Sequence, residues 1–211
     1  PEIGMMPYRD IQIQIVDLPP MEGDVRKLPY YNLLRTADAL VLVADASAEP
    51  DVQALRIIGE LADGRILTPF SADAELPVGS VRARMLIAIN KADAADAGSA
   101  ARKVREAVSD RIRVLSLSAR EGTGVEALKA EIYGVVRIIR VYTKVPGKKA
   151  DLGSPFVLAR GSTVMSLARA IHRDFADGLR FARIWGSGRF DGQSVERDHV
   201  LEDGDVIELH I

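Results

Sequence analysis

The four residues Asn90-Lys91-Ala92-Asp93 directly follow an apolar run, residues 83–89, that is typical of a buried strand. A carboxylate placed like that of Asp93 can accept two hydrogen bonds from guanine, one from N1–H and one from the 2-amino group, in a charge-assisted pair. Adenine has no such pair of donors, so this residue would set base specificity. Asn90 would bond the other edge of the base and brace neighbouring loops, and the stem of Lys91 would lie along the nucleoside.

A second polar pair, Ser118-Ala119, ends the apolar run of residues 111–119. A backbone N–H group here could bond O6 of guanine. Both polar segments follow strands, and open α/β sheets bind ligands at the carboxyl ends of their strands. Asn-Lys-x-Asp by itself also fits a polar strand end that only caps a loop, and the second pair, two elements later, favours base recognition.

Asp17 ends another strand and precedes a proline turn, in Asp17-Leu18-Pro19-Pro20. In a nucleotide hydrolase an aspartate at this place holds Mg²⁺, usually through a water, and the turn after it senses the γ-phosphate. An aspartate at a strand end is more often an ordinary turn residue. Its order and distance relative to Asn90 favour the metal role.

The composition limits the class of protein. The chain has 211 residues, 47% hydrophobic and 27% charged, which fits an ordinary globular protein. No run of 18 apolar residues occurs, so no membrane span is predicted. The absence of cysteine excludes disulfides and thiolate metal sites and suits a reducing cytoplasm. The three histidines are scattered along the chain without metal-ligand spacing, which argues against a zinc site.

The first 136 residues alternate between strand and helix patterns. A hairpin is predicted where the sequence turns at Arg9-Asp10. Strands and helices separated in this way indicate an open α/β sheet with parallel strands and right-handed crossovers. The turn-rich residues 64–81 are predicted to form a long surface loop. Further strands are predicted at 37–47, 83–90 and 111–119, and helices around 52–61, 99–111 and 123–136.

The pattern changes near residue 137. Two short strands, a helix and further strands within about 75 residues are typical of a small α+β module of the β-grasp kind. Ser162 or Thr163 would cap the helix. Its apolar face would consist of Val164, Leu167, Ala168, Ile171 and Phe175. We expect one domain at 1–136 and a second at 137–211, with no flexible linker between them.

Residues 137–149 contain five basic residues and no acidic one. This basic segment fits a solvated edge strand guarded by lysines, and it is equally the best RNA-facing surface in the sequence. Trp185, on a later strand, is expected in the core rather than on a base-stacking platform.

These residues carry a resemblance to a known family. Residues 1–136 resemble the later two-thirds of the GTPase (G) domain of Obg/DRG-type proteins, in the translation-factor class. Residues 137–211 resemble the TGS domain that follows it in DRG-type members, mainly through "IRVYTKVPGKKADLGSPFVLARGSTVMSLARAIHRDF" and "DHVLEDGDVIELHI". The resemblance implies a P-loop-type parallel sheet, here an incomplete G domain, followed by a ubiquitin-like β-grasp domain.

The resemblance also implies a function. It implies a GTP-binding protein that uses GTP and Mg²⁺, hydrolyses GTP slowly, and acts as a switch on a ribosomal or RNA-associated partner. Carried onto this sequence, it assigns Asp17 to the metal. The residues that it assigns to the nucleotide are Asn90, Lys91, Asp93, Ser118 and Ala119.

Three departures from the family pattern are visible. The phosphate loop and the threonine-bearing switch segment are absent, and the only Gly-Lys pair, Gly147-Lys148, lacks the rest of that loop. Pro20 stands where the family has a glycine, and it has no N–H to give to a γ-phosphate. Met21 follows, where many Ras-like enzymes have a water-orienting glutamine.

The missing loop leads to two expectations. About 60–80 residues carrying the phosphate loop would precede this sequence, judged by the size of a strand, loop, helix and switch segment. This chain alone would then be inactive, and its sheet would show a gap, or an unnatural direct pairing, between the strands at 11–16 and 39–45. The alternative, which Pro20 favours, is a non-catalytic, degenerate G domain that only scaffolds the TGS module.

Overall fold

The computed structural model describes residues 1–21, 23–71, 77–94, 97–108 and 110–211. These residues form two compact units. The first consists of Pro1–Met6 with Gln14–Val136, and the second of Pro7–Ile13 with Arg137–Ile211. In the described part of the chain, no helix is both long enough and apolar enough to cross a membrane.

The first unit contains most of the α/β alternation that the sequence predicts. The elements up to residue 136, in chain order, are β1 (Glu2–Tyr8), β2 (Ile11–Asp17), α1 (Tyr31–Thr36), β3 (Leu40–Asp45), α2 (Pro50–Asp63), β4 (Ile66–Leu67), β5 (Val81–Arg82), β6 (Met85–Asn90), α3 (Ala97–Ala107), β7 (Arg113–Ser116) and α4 (Val125–Val136). Of these, only the part of the β1–β2 hairpin at Pro7–Ile13 belongs to the second unit. Single 3₁₀ turns lie at Val25–Lys27 and Pro69–Ser71.

Three parallel strands form the sheet at the centre of this unit, in the order β3-β6-β7. Strand β6 lies in the middle, and its side chains from Met85 to Ile89 are all buried. A strand covered on both faces is apolar along its whole length instead of alternating, which explains the run "MLIAI". Asp45 pairs with Asn90, so β3 and β6 end side by side.

The β1–β2 hairpin forms a separate two-stranded sheet, with its turn at Arg9-Asp10 as predicted. Arg9 has a left-handed backbone (φ 53°), which a tight turn between antiparallel strands demands. Among the described residues, no strand pairing connects β2 to β3. The two strands are thus not paired directly, as the expected gap requires.

The prediction of a surface loop over residues 64–81 is wrong at both ends of this segment. Ile66 and Leu67 form β4, which pairs in parallel with β5. Ile66, Leu67 and Thr68 are all buried. The turn residues around Ile66 and Leu67 concealed this burial, whereas Phe70 and Val78 of the same segment are exposed. The middle of the segment, residues 72–76, lies outside the described residues.

The second unit contains β8 (Ile138–Thr143), β9 (Asp151–Ala159), α5 (Val164–Ile171), α6 (Arg173–Gly178), β10 (Phe181–Trp185), β11 (Gln193–Val195) and β12 (Val206–His210). The strands form one mixed sheet in the order β11-β10-β12-β8-β9, in which β12 and β8 are parallel. The core includes Val141, Leu167, Ile184 and Ile207, each fully buried between the sheet and α5.

Thr163, and not Ser162, caps helix α5. Its Oγ1 accepts the N–H of Ser166 at 3.3 Å, while the Thr163 N–H donates to Ser166 Oγ at 3.1 Å. The predicted apolar face extended too far, because α5 ends at Ile171 and Phe175 lies on α6. His172 breaks the helix with an extended backbone, and its Nδ1 accepts the N–H of Asp174 to start the next one.

The capping bond yields a stability prediction. We expect Thr163→Ala to lower the free energy of unfolding of the second unit by about 0.5–2 kcal/mol, because it leaves a first-turn N–H without its acceptor. Urea denaturation followed by the fluorescence of Trp185, the single tryptophan, measures this. Ser162→Ala serves as the control and should change stability by less than about 0.5 kcal/mol. A larger loss in the Ser162 variant would mean that the cap is misassigned.

Candidate functional site

The polar residues singled out in the sequence meet at the carboxyl ends of β6 and β7. Asn90 is the last residue of β6, and Ser118-Ala119 lie just beyond β7. The N–H of Leu117 donates to Ile89 O at 2.9 Å, and the N–H of Ala92 donates to Leu117 O at 2.9 Å. The two loops that follow the strands are therefore held together by backbone bonds.

Asn90 joins these loops through its side chain. Its Oδ1 accepts the N–H of Lys91 at 2.8 Å and the N–H of Ala119 at 3.0 Å. Asn90 is half-buried, where an amide that holds two backbone donors fixes the relative position of both loops.

Asp93 is fixed by Ser118. The Ser118 hydroxyl, which is 1% exposed, donates to Asp93 Oδ1 at 2.6 Å and accepts the N–H of Glu121 at 3.1 Å. This hydrogen bond from Ser118 is the main reason that the pKa of Asp93 lies below its usual value. Asp93 is nevertheless exposed. The site therefore presents to solvent an ionised carboxylate held in one orientation.

The backbone N–H groups of Ser118 and Ala119, one of which was expected to bond O6 of guanine, already have acceptors within the protein. The Ser118 N–H donates to Thr123 O at 2.9 Å, and the Ala119 N–H donates to Asn90 Oδ1. Neither group is free to bond a base oxygen in this conformation. Ala119 lies on the surface, and a ligand oxygen could replace the Asn90 amide there. The Ser118 N–H is committed to its own turn.

A fourth strand-end residue, Asp45, was missed by the sequence reasoning. It ends β3, and its Oδ2 lies 2.5 Å from Lys91 Nζ. Its Oδ1 accepts the N–H of Ser47 at 2.9 Å and the Ser47 hydroxyl at 2.6 Å. The hydrogen bond from Lys91, helped by Ser47, lowers the pKa of Asp45 to about 2. The sequence did contain a signal for Asp45, because this aspartate ends an apolar run just as Asn90 does.

Residues 139–211 match the TGS domain family. They are a TGS domain. The chain is 32% identical over 172 residues to an uncharacterized GTP-binding protein of Methanocaldococcus jannaschii, covering 80% of this chain and 39% of that protein. It is 34% identical over 95 residues to developmentally-regulated GTP-binding protein 1 of Xenopus laevis, covering 44% of this chain and 26% of that protein. Its homologues are DRG-type GTP-binding proteins.

A GTP-binding protein from Pyrococcus horikoshii OT3 has a similar fold. The two structures share a TM-score of 0.68, with 97% of this chain and 86% of that chain covered at 19% identity. The predicted fold class, a parallel α/β sheet followed by a ubiquitin-like TGS domain, is confirmed. The chain spans about 39% of the length of its M. jannaschii relative.

In the TGS domain, the basic segment 137–149 does not line a sheet edge. Strand β8 lies between β12 and β9, so the edge-strand interpretation is wrong. Arg140 is held by Asp203, with Nε to Oδ1 at 3.1 Å and Nη2 to Oδ2 at 2.9 Å. Lys148 and Lys149 are exposed in the turn after β8. The five cations therefore do not act as one surface.

Lys144 of the same segment is also neutralised. Its ammonium donates to Glu208, which lowers the pKa of that carboxyl although burial opposes the shift. The ammonium also lies 4.5 Å from the centre of the Trp185 ring. Trp185 is half-buried on β10 with this cation on its face. His210 Nε2 lies 2.9 Å from Glu208 Oε1.

Asp17 lies on a different sheet from the strand-end residues of β3, β6 and β7. It is the exposed last residue of β2, on the hairpin sheet. The turn after it is held by Tyr30, whose hydroxyl can donate to the carbonyls of Pro19 and Pro20 at 3.0 and 3.1 Å. Within the described ranges, no group of three or more histidine, aspartate or glutamate side chains could hold a metal ion. The metal role of Asp17 stays a prediction.

The Lys91–Asp45 pair yields a prediction for titration. The depressed pKa of Asp45 means that its pairing stabilises the fold above about pH 3.8, its ordinary pKa, and is lost as the pH falls through about 2. Lys91→Met, which removes the ammonium, should raise the pKa of Asp45 towards 3.8. Carboxyl ¹³C shifts measured against pH test this. Lys129→Met, on α4, should leave Asp45 unchanged, and an unshifted Asp45 in the Lys91 variant would contradict the pairing.

Proposed function

We propose that this chain carries the guanine-recognising part of a GTP-binding switch. The observation that carries the proposal is Asp93, an exposed carboxylate that Ser118 holds ionised at the end of a buried parallel sheet. Such a group can accept from N1–H and the 2-amino group of guanine together. The GTP-binding homologues support the same assignment.

The neighbouring residues have complementary roles in this proposal. Asn90 bonds the other edge of the base and braces the loop of Ala119. The stem of Lys91 lies along the nucleoside while its ammonium stays on Asp45. The Ala119 N–H, which donates to Asn90 Oδ1, would donate to guanine O6 instead. The Ser118 hydroxyl holds the Asp93 carboxylate in its orientation.

The phosphates and the metal would be bound elsewhere. Asp17 would hold Mg²⁺ through a water, with most of the remaining oxygen ligands coming from phosphates and solvent, as Mg²⁺ prefers. β2 and β3 are not paired with each other, which is compatible with a strand carrying a phosphate loop between them in a longer polypeptide. With Met21 in the place of a water-orienting glutamine, hydrolysis is expected to be slow or to depend on a partner.

The TGS domain would report the nucleotide state to a ribosomal or RNA-associated partner. Exposed cations at several places on this domain, such as Lys148, Lys149 and Arg183, support contact with an acidic partner. Because Arg140 and Lys144 are held by carboxylates, the contact would rest on the exposed cations and not on the whole basic segment.

The second candidate function is a non-catalytic G domain that scaffolds the TGS domain. Pro20 favours it, because a proline cannot donate an N–H to a γ-phosphate. The turn is also tied down by Tyr30, which bonds the carbonyls of both prolines. Measured GTP turnover by a longer polypeptide that includes a phosphate loop separates the two functions.

Base reading by Asp93 can be tested by a change of specificity. In Asp93→Asn an amide donor faces the 2-amino group of guanine, whereas xanthine presents a carbonyl oxygen there. The ratio of guanosine to xanthosine monophosphate affinity should therefore fall by about tenfold or more. Nuclear magnetic resonance titration of this chain with both nucleotides measures it. Asp38→Asn, an exposed carboxylate before β3, is the control. An unchanged ratio in the Asp93 variant would refute base reading.

The absence of a phosphate loop from the sequence leads to a second test. We expect this chain to bind guanosine monophosphate, diphosphate and triphosphate with similar, weak affinity, because a cradle of backbone N–H groups normally supplies much of the phosphate affinity. Calorimetry with the three nucleotides gives the comparison. Micromolar or tighter binding of GTP would mean that other residues of this chain form a phosphate site.

A further inference from the structure

Lys91 has a choice of two carboxylates. Asp45 lies at the end of the neighbouring strand, and Asp93 follows two residues later in the same loop. The ammonium is on Asp45, with Nζ at 2.5 Å from Oδ2. Asp93 receives the Ser118 hydroxyl and feels Lys91 only as a longer-range charge. The structure therefore separates the lysine from the carboxylate that would read the base.

Several hydrogen bonds fix the position of Asp45. Ser47 occupies Oδ1 with both its N–H and its hydroxyl, which leaves Oδ2 to Lys91. The Asp45 N–H donates to Gln53 Oε1 at 3.1 Å, and the Gln53 amide also donates to the carbonyl of Ala48. Helix α2 thus anchors the turn that presents Asp45.

The backbone of Lys91 adds a second observation. Its φ of 66° lies in the left-handed region, which a residue other than glycine rarely adopts. Such a conformation persists where the surroundings hold it. The Asn90 side chain bonds the Lys91 N–H on one side, and Asp45 binds the ammonium at the other end of the residue.

We propose that Asp45 is a positioning residue for guanine selectivity, which keeps the Lys91 ammonium away from Asp93. The proposal rests on the proposed function. Asp93, two residues along the loop, already feels the charges of Arg120 and Lys91, and it is the carboxylate that we expect Lys91 to approach without Asp45. An ammonium paired there would compete with the 2-amino group of guanine for the same oxygen atoms. The preference for guanine over hypoxanthine, which lacks that amino group, would fall.

The experiment uses the whole 211-residue chain and compares guanosine with inosine monophosphate by nuclear magnetic resonance titration. Asp45→Asn should reduce the ratio of the two affinities by about two- to fivefold, the range that an exposed ion pair supports. Asp45→Glu, which keeps the charge, should retain most of the ratio. In a Lys91→Met background the Asp45→Asn change should have no further effect, because the competing ammonium is gone.

The outcomes separate this inference from the proposed function. Asp63→Asn, at the exposed end of α2, is the matched control and should leave the ratio unchanged. If Asp45→Asn also leaves it unchanged while Asp93→Asn abolishes it, the positioning role is wrong and base reading stands. If Asp93→Asn has no effect either, the proposed function fails.

A measurement without ligand gives a second test. Asp45→Asn should lower the pKa of Asp93 further, as Lys91 moves to it, and the same change in a Lys91→Met background should have a much smaller effect. Carboxyl ¹³C titration of Asp93 reports this directly. If the pKa of Asp93 responds equally in both backgrounds, or in neither, Lys91 does not move between the two carboxylates and the inference is overturned.

Discussion

The register of three parallel strands determines where the candidate site of this protein lies. Asp45 is paired with Asn90, and Ile89 with Ser116, so β3, β6 and β7 end at one edge. The buried side chains of β6 hold that register, because a slip by one residue would reverse which side chains face each layer. The polar side chains beyond the strand ends therefore meet as a consequence of apolar packing below them.

Much of this edge could be predicted from the sequence. Uninterrupted apolar runs followed by polar residues locate strand ends, and parallel strands share an edge, so Asn90 and Ser118 were expected together. Asp45 was not, because an aspartate after an apolar run is common and its meaning depends on which strand lies next to β6. Asp17 also ends a strand, but on the hairpin sheet, and although the hairpin itself was predicted, the alternating pattern of that strand does not show which sheet it joins.

The TGS domain shows a different limit of sequence reasoning. A run of basic residues suggests a positively charged surface. Whether each of these side chains is exposed or paired, however, depends on carboxylates far away in the chain. Arg140 is neutralised by Asp203, 63 residues later, and Lys144 by Glu208, 64 residues later. Local patterns did locate the helix and narrow its cap to Ser162 or Thr163, since the Thr163 side chain bonds only three residues ahead. Short-range interactions can be predicted where long-range pairs cannot.

The side chains and N–H groups at this edge satisfy one another's hydrogen bonds, and this has an energetic consequence. Ala119 gives its N–H to Asn90, Lys91 gives its ammonium to Asp45, and Ser118 gives its hydroxyl to Asp93. A base that binds here gains the free acceptor capacity of Asp93 but exchanges one protein acceptor for another at Ala119. Exchanged hydrogen bonds contribute little net free energy. Under the proposed function, this edge would therefore select guanine, and tight binding of a nucleotide would require other groups to hold its phosphates.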